Sequence, residues 1–113
     1  MARNERKLII DTIDFSGKRV VFTEKKLGQK AIVHAELQKT SFIKRIEETL
    51  INPVEVWQDY NDPKNKWCYF RRCSAYSYAK VVVYRKGNPY EVVTAFEVNY
   101  IREQKYCGLK QIR

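Results

Sequence analysis

Apolar and polar residues alternate from Leu8 to Ile13, which predicts a half-buried β-strand. Asp14-Phe15-Ser16-Gly17 supplies residue types that turns require, and Lys18 to Thr23, with Val20, Val21 and Phe22, reads as the return strand of a hairpin. Thr23 is a candidate N-cap for Glu24 to Gln38, which holds one helix or two short ones, with Gly28 as the weak point. The period then lengthens. Phe42, Ile43, Ile46 and Leu50 share one helical stripe behind a Ser41 cap, while Lys44, Arg45, Glu47 and Glu48 face water. Pro53 disfavours helical geometry at Asn52, so the helix is expected to stop there.

Beyond that break the two-residue period returns. Val54-Glu55-Val56-Trp57 alternates as a strand, and Asp59 to Lys66 is a loop by composition. Trp67 to Arg72, Tyr78 to Arg85 and Tyr90 to Val98 follow as strands, joined by tight links at Ser74 to Ser77 and Lys86 to Pro89. Such short links favour antiparallel pairing, because a parallel crossover needs about a dozen residues. The expected architecture is one α+β domain over residues 1–113, its N-terminal hairpin and helices packed on a four- or five-stranded antiparallel sheet. Residues 1–7 are expected to be a loose polar tail, and residues 100–113 a basic segment to which the pattern assigns no element.

Composition narrows the class. A chain of 113 residues that is 44% hydrophobic and 13% aromatic can build a core and is too apolar for intrinsic disorder. No apolar stretch approaches the ~20 residues of a membrane span, and Met1-Ala2-Arg3-Asn4 lacks the apolar core of a signal peptide, so a cytoplasmic protein without a membrane partner is expected. Lys and Arg total 22 against 13 Asp and Glu, a net charge of +9 that attracts phosphate backbones or anionic surfaces. Cys68, Cys73 and Cys107 cannot all pair within one chain, and a single histidine completes no zinc set. Reduced thiols are therefore expected, with no metal and no other cofactor.

That histidine, His34, is the one obvious proton-transfer group near neutral pH, because its unperturbed pKa lies near ~6.5. Lys80, Val82 and Tyr84 share one strand face with Tyr78, so a phosphate-binding ammonium stands beside rings on which bases can stack. Arg71 and Arg72 point to opposite faces. Arg71 with Tyr69 is the pair favoured for the functional face, since Phe70 can then enter the core. Tyr100 is a further stacking candidate near the end of the last strand, and Glu91 a weaker site candidate.

Read in order, these segments resemble the phage-type members of the barnase–EndoU–colicin–RelE (BECR) ribonuclease superfamily. The matching text is His34 to Leu37, Ile46 to Asp59, Tyr69 to Arg72, Lys80 to Val83 and Val92 to Phe96, within roughly Arg19 to Phe96, about two thirds of the chain. The resemblance implies a compact nuclease in which helices back a sheet and the concave sheet face cuts RNA. It matches Lys80 to the family lysine and makes Thr94 a hydroxyl donor to the scissile phosphate. It also implies attack by the 2′-hydroxyl, which needs no metal and leaves a 2′,3′-cyclic phosphate. The catalytic set is then His34, Lys80, Arg71 and Thr94, with Tyr69, Tyr78, Arg72 and Tyr100 binding RNA.

The sequence departs from the family at the histidines. Members usually read His-Pro-Glu-Leu, often with a second histidine a few residues earlier, whereas Ala35 stands here for the proline and Gln29 to Val33 holds no histidine. Three functions remain open: an endoribonuclease, toxin or phage-encoded; an inert RNA-binding domain; or a RelE-like interferase that cuts message on the ribosome with Lys, Arg and Tyr. The expected partners are RNA, the ribosome in the third case, and a neutralising antitoxin or immunity protein.

Overall fold

The computed structural model describes residues 7–31, 40–101 and 108–113. Its elements are β1 (Leu8–Ile13), β2 (Arg19–Thr23), α1 (Glu24–Ala31), α2 (Thr40–Ile51), β3 (Glu55–Gln58), β4 (Lys66–Ser74), β5 (Ser77–Tyr84) and β6 (Tyr90–Val98). Local chemistry explains the boundaries. Gly17 closes the β1–β2 turn at a φ of 86°, a left-handed conformation that costs glycine nothing. The Thr23 hydroxyl accepts a hydrogen bond from the Lys26 amide at 3.1 Å and caps α1 as expected. The second helix starts at Thr40, so Ser41 lies in its first turn instead of capping it. It stops at Ile51, two residues before Pro53.

The strands form one six-stranded sheet in the order β1-β2-β6-β5-β4-β3. From β3 to β6 each strand pairs antiparallel with the next, as short links require. The expectation of four or five antiparallel strands is nevertheless corrected, because β2 joins β6 in parallel through Val20↔Tyr90 and Val21↔Glu91. Between them run both helices and three strands, so the short-link argument never governed that pair.

Helix α2 buries Phe42, Ile46 and Leu50 against the sheet, where Val20, Phe22, Tyr69 and Val81 are also fully enclosed. Each such side chain contributes about 1.5–3 kcal/mol by leaving water. A second, smaller cluster of Cys68, Phe70 and Val82 lies on the opposite sheet face, with Trp57, Val93 and Leu109 against it. No helix among the described residues is long and apolar enough to cross a membrane.

A buried polar knot attaches the β1–β2 hairpin to the rest. Asp14 Oδ1 accepts from the Ser16 amide (2.9 Å), the Ser16 hydroxyl (2.7 Å) and the Lys18 amide (3.1 Å). Its other oxygen accepts from the Tyr69 hydroxyl of β4 and pairs with Arg85 Nη1 at 3.0 Å, just past β5. The Arg85 guanidinium lies 3.4 Å from the ring centre of Trp67 and 4.5 Å from that of Tyr90. Burial pushes the Asp14 carboxyl up, but the hydrogen bonds from Tyr69, Ser16 and Lys18 outweigh it and hold the group below the usual carboxylate range. Burial and the Asp14 hydrogen bond both raise the Tyr69 phenol, so it remains protonated.

The expected tail over residues 1–7 lies outside the described residues except for Lys7, whose carbonyl accepts from the Glu24 amide at 2.8 Å. Of the basic segment 100–113, residues 102–107 also lie outside them. Residues 108–113 run along β3: Ile112 N donates to Val56 O at 2.7 Å and Gln58 N to Lys110 O at 3.1 Å. That pairing covers an edge otherwise able to recruit foreign strands.

Candidate functional site

Because side chains alternate along a strand, the sheet has two unlike faces. Trp67, Tyr69 and Cys73 of β4 pack with the α2 core, as do Ala79, Val81 and Val83 of β5. The opposite parity places Cys68, Phe70 and Arg72 of β4, and Tyr78, Lys80, Val82 and Tyr84 of β5, on the face turned away from α2. The expected grouping of Tyr78, Lys80, Val82 and Tyr84 is therefore present.

In β6 the parity breaks. Val82 pairs with Thr94 but Val83 with Val92, leaving Val93 as an extra residue. Val92 and Ala95 belong to the α2 core, whereas Val93 packs on the second cluster. Thr94, opposite Val82, and Phe96, opposite Lys80, share the second face, while Val92, the other expected parity partner of Thr94, does not. The regular pairing of Thr94, Ala95 and Phe96 with Val82, Val81 and Lys80 sets Thr94 on the Lys80 side of the sheet, and the bulge beyond it turns Val92 into the α2 core.

Two groups on this face, Lys80 and Thr94, have no carboxylate or hydrogen-bond partner among the described residues. Lys80 Nζ lies 5.5 Å from the ring centre of Phe96 and 5.9 Å from that of Phe70. Among the described residues the ion pairs are Arg19–Asp11 and Arg85–Asp14, and neither neutralises this face. Thr94 stands diagonally across from Lys80, about 7–8 Å away for such positions. Its Oγ1 is buried without a hydrogen-bond partner, one of two such side-chain atoms among the described residues, the other being Asn65 Oδ1. A buried hydroxyl without a hydrogen-bond partner costs about 1–3 kcal/mol.

At the hairpin end, Arg72 lies over the Tyr78 ring with Cζ 4.8 Å from its centre. Arg72 Nη2 donates to the Tyr78 hydroxyl at 2.8 Å and Nη1 to the Ala75 carbonyl at 3.0 Å. Tyr100, two residues beyond the Val98 that pairs with Tyr78, is 57% exposed.

The structure places two of the expected site residues, Tyr69 and Arg71, away from the Lys80 face. Tyr69 is 0% exposed in the α2 core, its hydroxyl engaged by Asp14 and Arg85, so it cannot stack on a base. Arg71 shares that parity and donates to the Asn52 carbonyl at 2.9 Å, at the end of α2. It is therefore Arg72, not Arg71, that shares a face with Lys80. Phe70 is buried as expected, but in the second cluster, beneath Lys80. His34 lies outside the described residues. Phe96 and Phe70 beside the ammonium were not singled out as site residues, although the parity of Phe96 with Thr94 is visible in the sequence.

A helix-backed sheet whose other face carries Lys80 and Arg72 among aromatic rings has the organisation of a small nucleic-acid-processing domain. A family model described as phage-Barnase-EndoU-ColicinE5/D-RelE like nuclease2 matches residues 2–110, and the chain belongs to this family. It is thus a nuclease of the phage BECR type, with nucleic acid as its class of substrate. Neither curated proteins nor solved structures gave a match.

Proposed function

We propose that this chain is a metal-independent endoribonuclease that works on the face turned away from α2. The observation that carries the reading is the Lys80 ammonium, which has no carboxylate partner among the described residues, diagonal to the Thr94 hydroxyl, which has no hydrogen-bond partner among them. A base removes the 2′-hydroxyl proton, and the 2′-oxygen bonds to phosphorus. The 5′-oxygen leaves with a proton from an acid, yielding a 2′,3′-cyclic phosphate and a 5′-hydroxyl. Lys80 and the Thr94 hydroxyl stabilise the charge that builds on the phosphate oxygens. His34 takes one proton-transfer role, because it is the only imidazole in the chain. Arg72, Tyr78 and Tyr100 bind RNA. Arg71 is left out of this set.

A second reading is favoured by one observation: Lys80, Arg72, Tyr78 and Tyr84 all share the face. These are the residue types a RelE-like interferase uses, in the cytoplasm and on the ribosome. A neutralising antitoxin or immunity protein would oppose the same cations with carboxylates.

The deciding experiment is incubation of purified protein with tRNA and messenger RNA in EDTA, with and without ribosomes. Cleavage of free RNA is expected. Cleavage that needs ribosomes moves the assignment to the second reading, and binding without cleavage moves it to an inert RNA-binding domain. Affinity for RNA is also expected to fall by orders of magnitude between about 50 and 200 mM salt, as neutralised phosphates recapture counterions. A flat salt profile, measured by fluorescence anisotropy, would rule out electrostatic RNA binding.

A further inference from the structure

Lys80 stands in a row of side chains that crosses three strands. Phe70 of β4 pairs with it on one side and Phe96 of β6 on the other. Its ammonium lies over both rings, 5.9 Å from the centre of Phe70 and 5.5 Å from that of Phe96. Along β5 its neighbours on this face are Tyr78 and Val82, and the diagonal positions on β4 and β6 are Cys68, Arg72, Thr94 and Val98. None of these positions is acidic. The row continues to Glu55 of β3, which pairs with Phe70 at two strand spacings, about 9–10 Å, from Lys80. Glu55 Oε1 accepts from Trp57 Nε1 at 2.8 Å, along its own strand. The acid of the row is thus tied to an indole on the far side of Phe70.

A lysine that holds a phosphate has two competing requirements. Its flexible four-carbon stem must be confined, because a loose stem has to be ordered when the phosphate binds. Its charge must also stay uncompensated. A carboxylate partner meets the first requirement and defeats the second. An aromatic ring meets both, since its quadrupole attracts the cation without neutralising it. We infer that Phe96, together with Phe70, is a positioning residue: the two rings confine the Lys80 ammonium for the scissile phosphate and leave its full charge to act there. This inference rests on the endoribonuclease reading and goes beyond it by assigning a residue that acts through Lys80, without touching RNA or a reacting atom. Phe70 is fully buried in the second cluster, so replacing it disturbs packing. Phe96 is only partly buried and is the residue to change.

The test is a double-mutant cycle, read by the anisotropy of a fluorescein-labelled single-stranded RNA whose 2′-hydroxyls are replaced by fluorine, so that it binds without being cut. Phe96→Leu keeps apolar bulk and removes the ring. With Lys80 present it should weaken binding about two- to fivefold, the size of one cation–π contact. In the Lys80→Ala background the same change should alter affinity by less than about 1.5-fold, because no ammonium is left to position. Phe96→Tyr, which keeps a ring, should recover the affinity that Phe96→Leu loses. On unmodified RNA, Phe96→Leu should slow single-turnover cleavage by at least the same factor, since charge on the phosphate grows toward the transition state. Far-UV circular dichroism checks folding, and Phe96→Met, also without a ring, takes the place of Phe96→Leu if that variant is unfolded. An equal loss in both backgrounds, no loss with Lys80 present, or no recovery in Phe96→Tyr would overturn the inference and leave the nuclease reading standing. A Lys80→Ala variant that binds and cuts as well as the wild type would overturn the nuclease reading of this face, and the inference with it.

Discussion

Replacing His34 by alanine should slow RNA cleavage by about 10²-fold or more while changing RNA affinity little. A proton-transfer group acts as bonds to phosphorus form and break, so its loss falls on turnover. Lys80→Ala should lower both turnover and affinity, because a cation beside the phosphate acts in the ground state as well as in the transition state. Lys80 lies on the face away from the α2 core, so the variant is expected to stay folded. Single-turnover kinetics with a parallel binding titration separates the two effects. If His34→Ala cuts at the wild-type rate while Lys80→Ala is dead, the histidine assignment is wrong and the Lys, Arg and Tyr set replaces it.

The second large effect concerns stability. Asp14→Ala should destabilise the protein by about 3–5 kcal/mol, because it leaves the Arg85 guanidinium buried without its carboxylate. In that pair the Arg85 side chain is only 10% exposed and that of Asp14 is 0% exposed. The same change frees the Tyr69 hydroxyl and opens the β1–β2 turn. Urea unfolding at pH 7 checks the magnitude, and a loss below about 1 kcal/mol would show that the knot is not what attaches the hairpin. The pH dependence has a definite sign. The folded state holds the Asp14 carboxyl below its ordinary value, so its contribution is complete above about pH 3.9 and is lost as pH falls through the lowered folded value. Wild type should therefore lose stability in acid, and Asp14→Asn should lose less of it over the same range.

These two residues also mark how far the sequence could be read. Element boundaries were legible wherever a two-residue period ran into turn chemistry. Leu8–Ile13 and Tyr90–Val98 match the expected spans, and Thr23 caps α1 as expected. The parallel β2–β6 pair was not legible, because it joins residues about 70 positions apart and nothing local encodes it. The faces of β4 were hidden for another reason. Trp67-Cys68-Tyr69-Phe70 is apolar at four successive positions, so alternation does not say which residues face α2. Tyr69 is expected on the functional face beside Trp67 and Arg71, with Phe70 in the core, yet the structure buries Tyr69. Asp14 and Arg85, remote in sequence, supply the partners that make its burial affordable. That misplacement carried Arg71 with it, since the two share parity. Lys80, Tyr78 and Tyr84 were legible as a set because Val81 and Val83 fix the parity of β5. The bulge that brings Val93 beside Thr94 left no signal in the alternation, which is why Val92, expected to share a face with Thr94, turns to the α2 core instead.

The endoribonuclease assignment is tested most directly by cleavage, in EDTA, of an RNA carrying one 2′-deoxynucleotide at a mapped cut site. Unmodified RNA should be cut to fragments ending in a 2′,3′-cyclic phosphate, while the deoxy-substituted strand should resist cutting at that position because it has no 2′-hydroxyl to attack. Cleavage of the deoxy-substituted strand at the same position, or activity that EDTA abolishes and magnesium restores, would contradict the assignment.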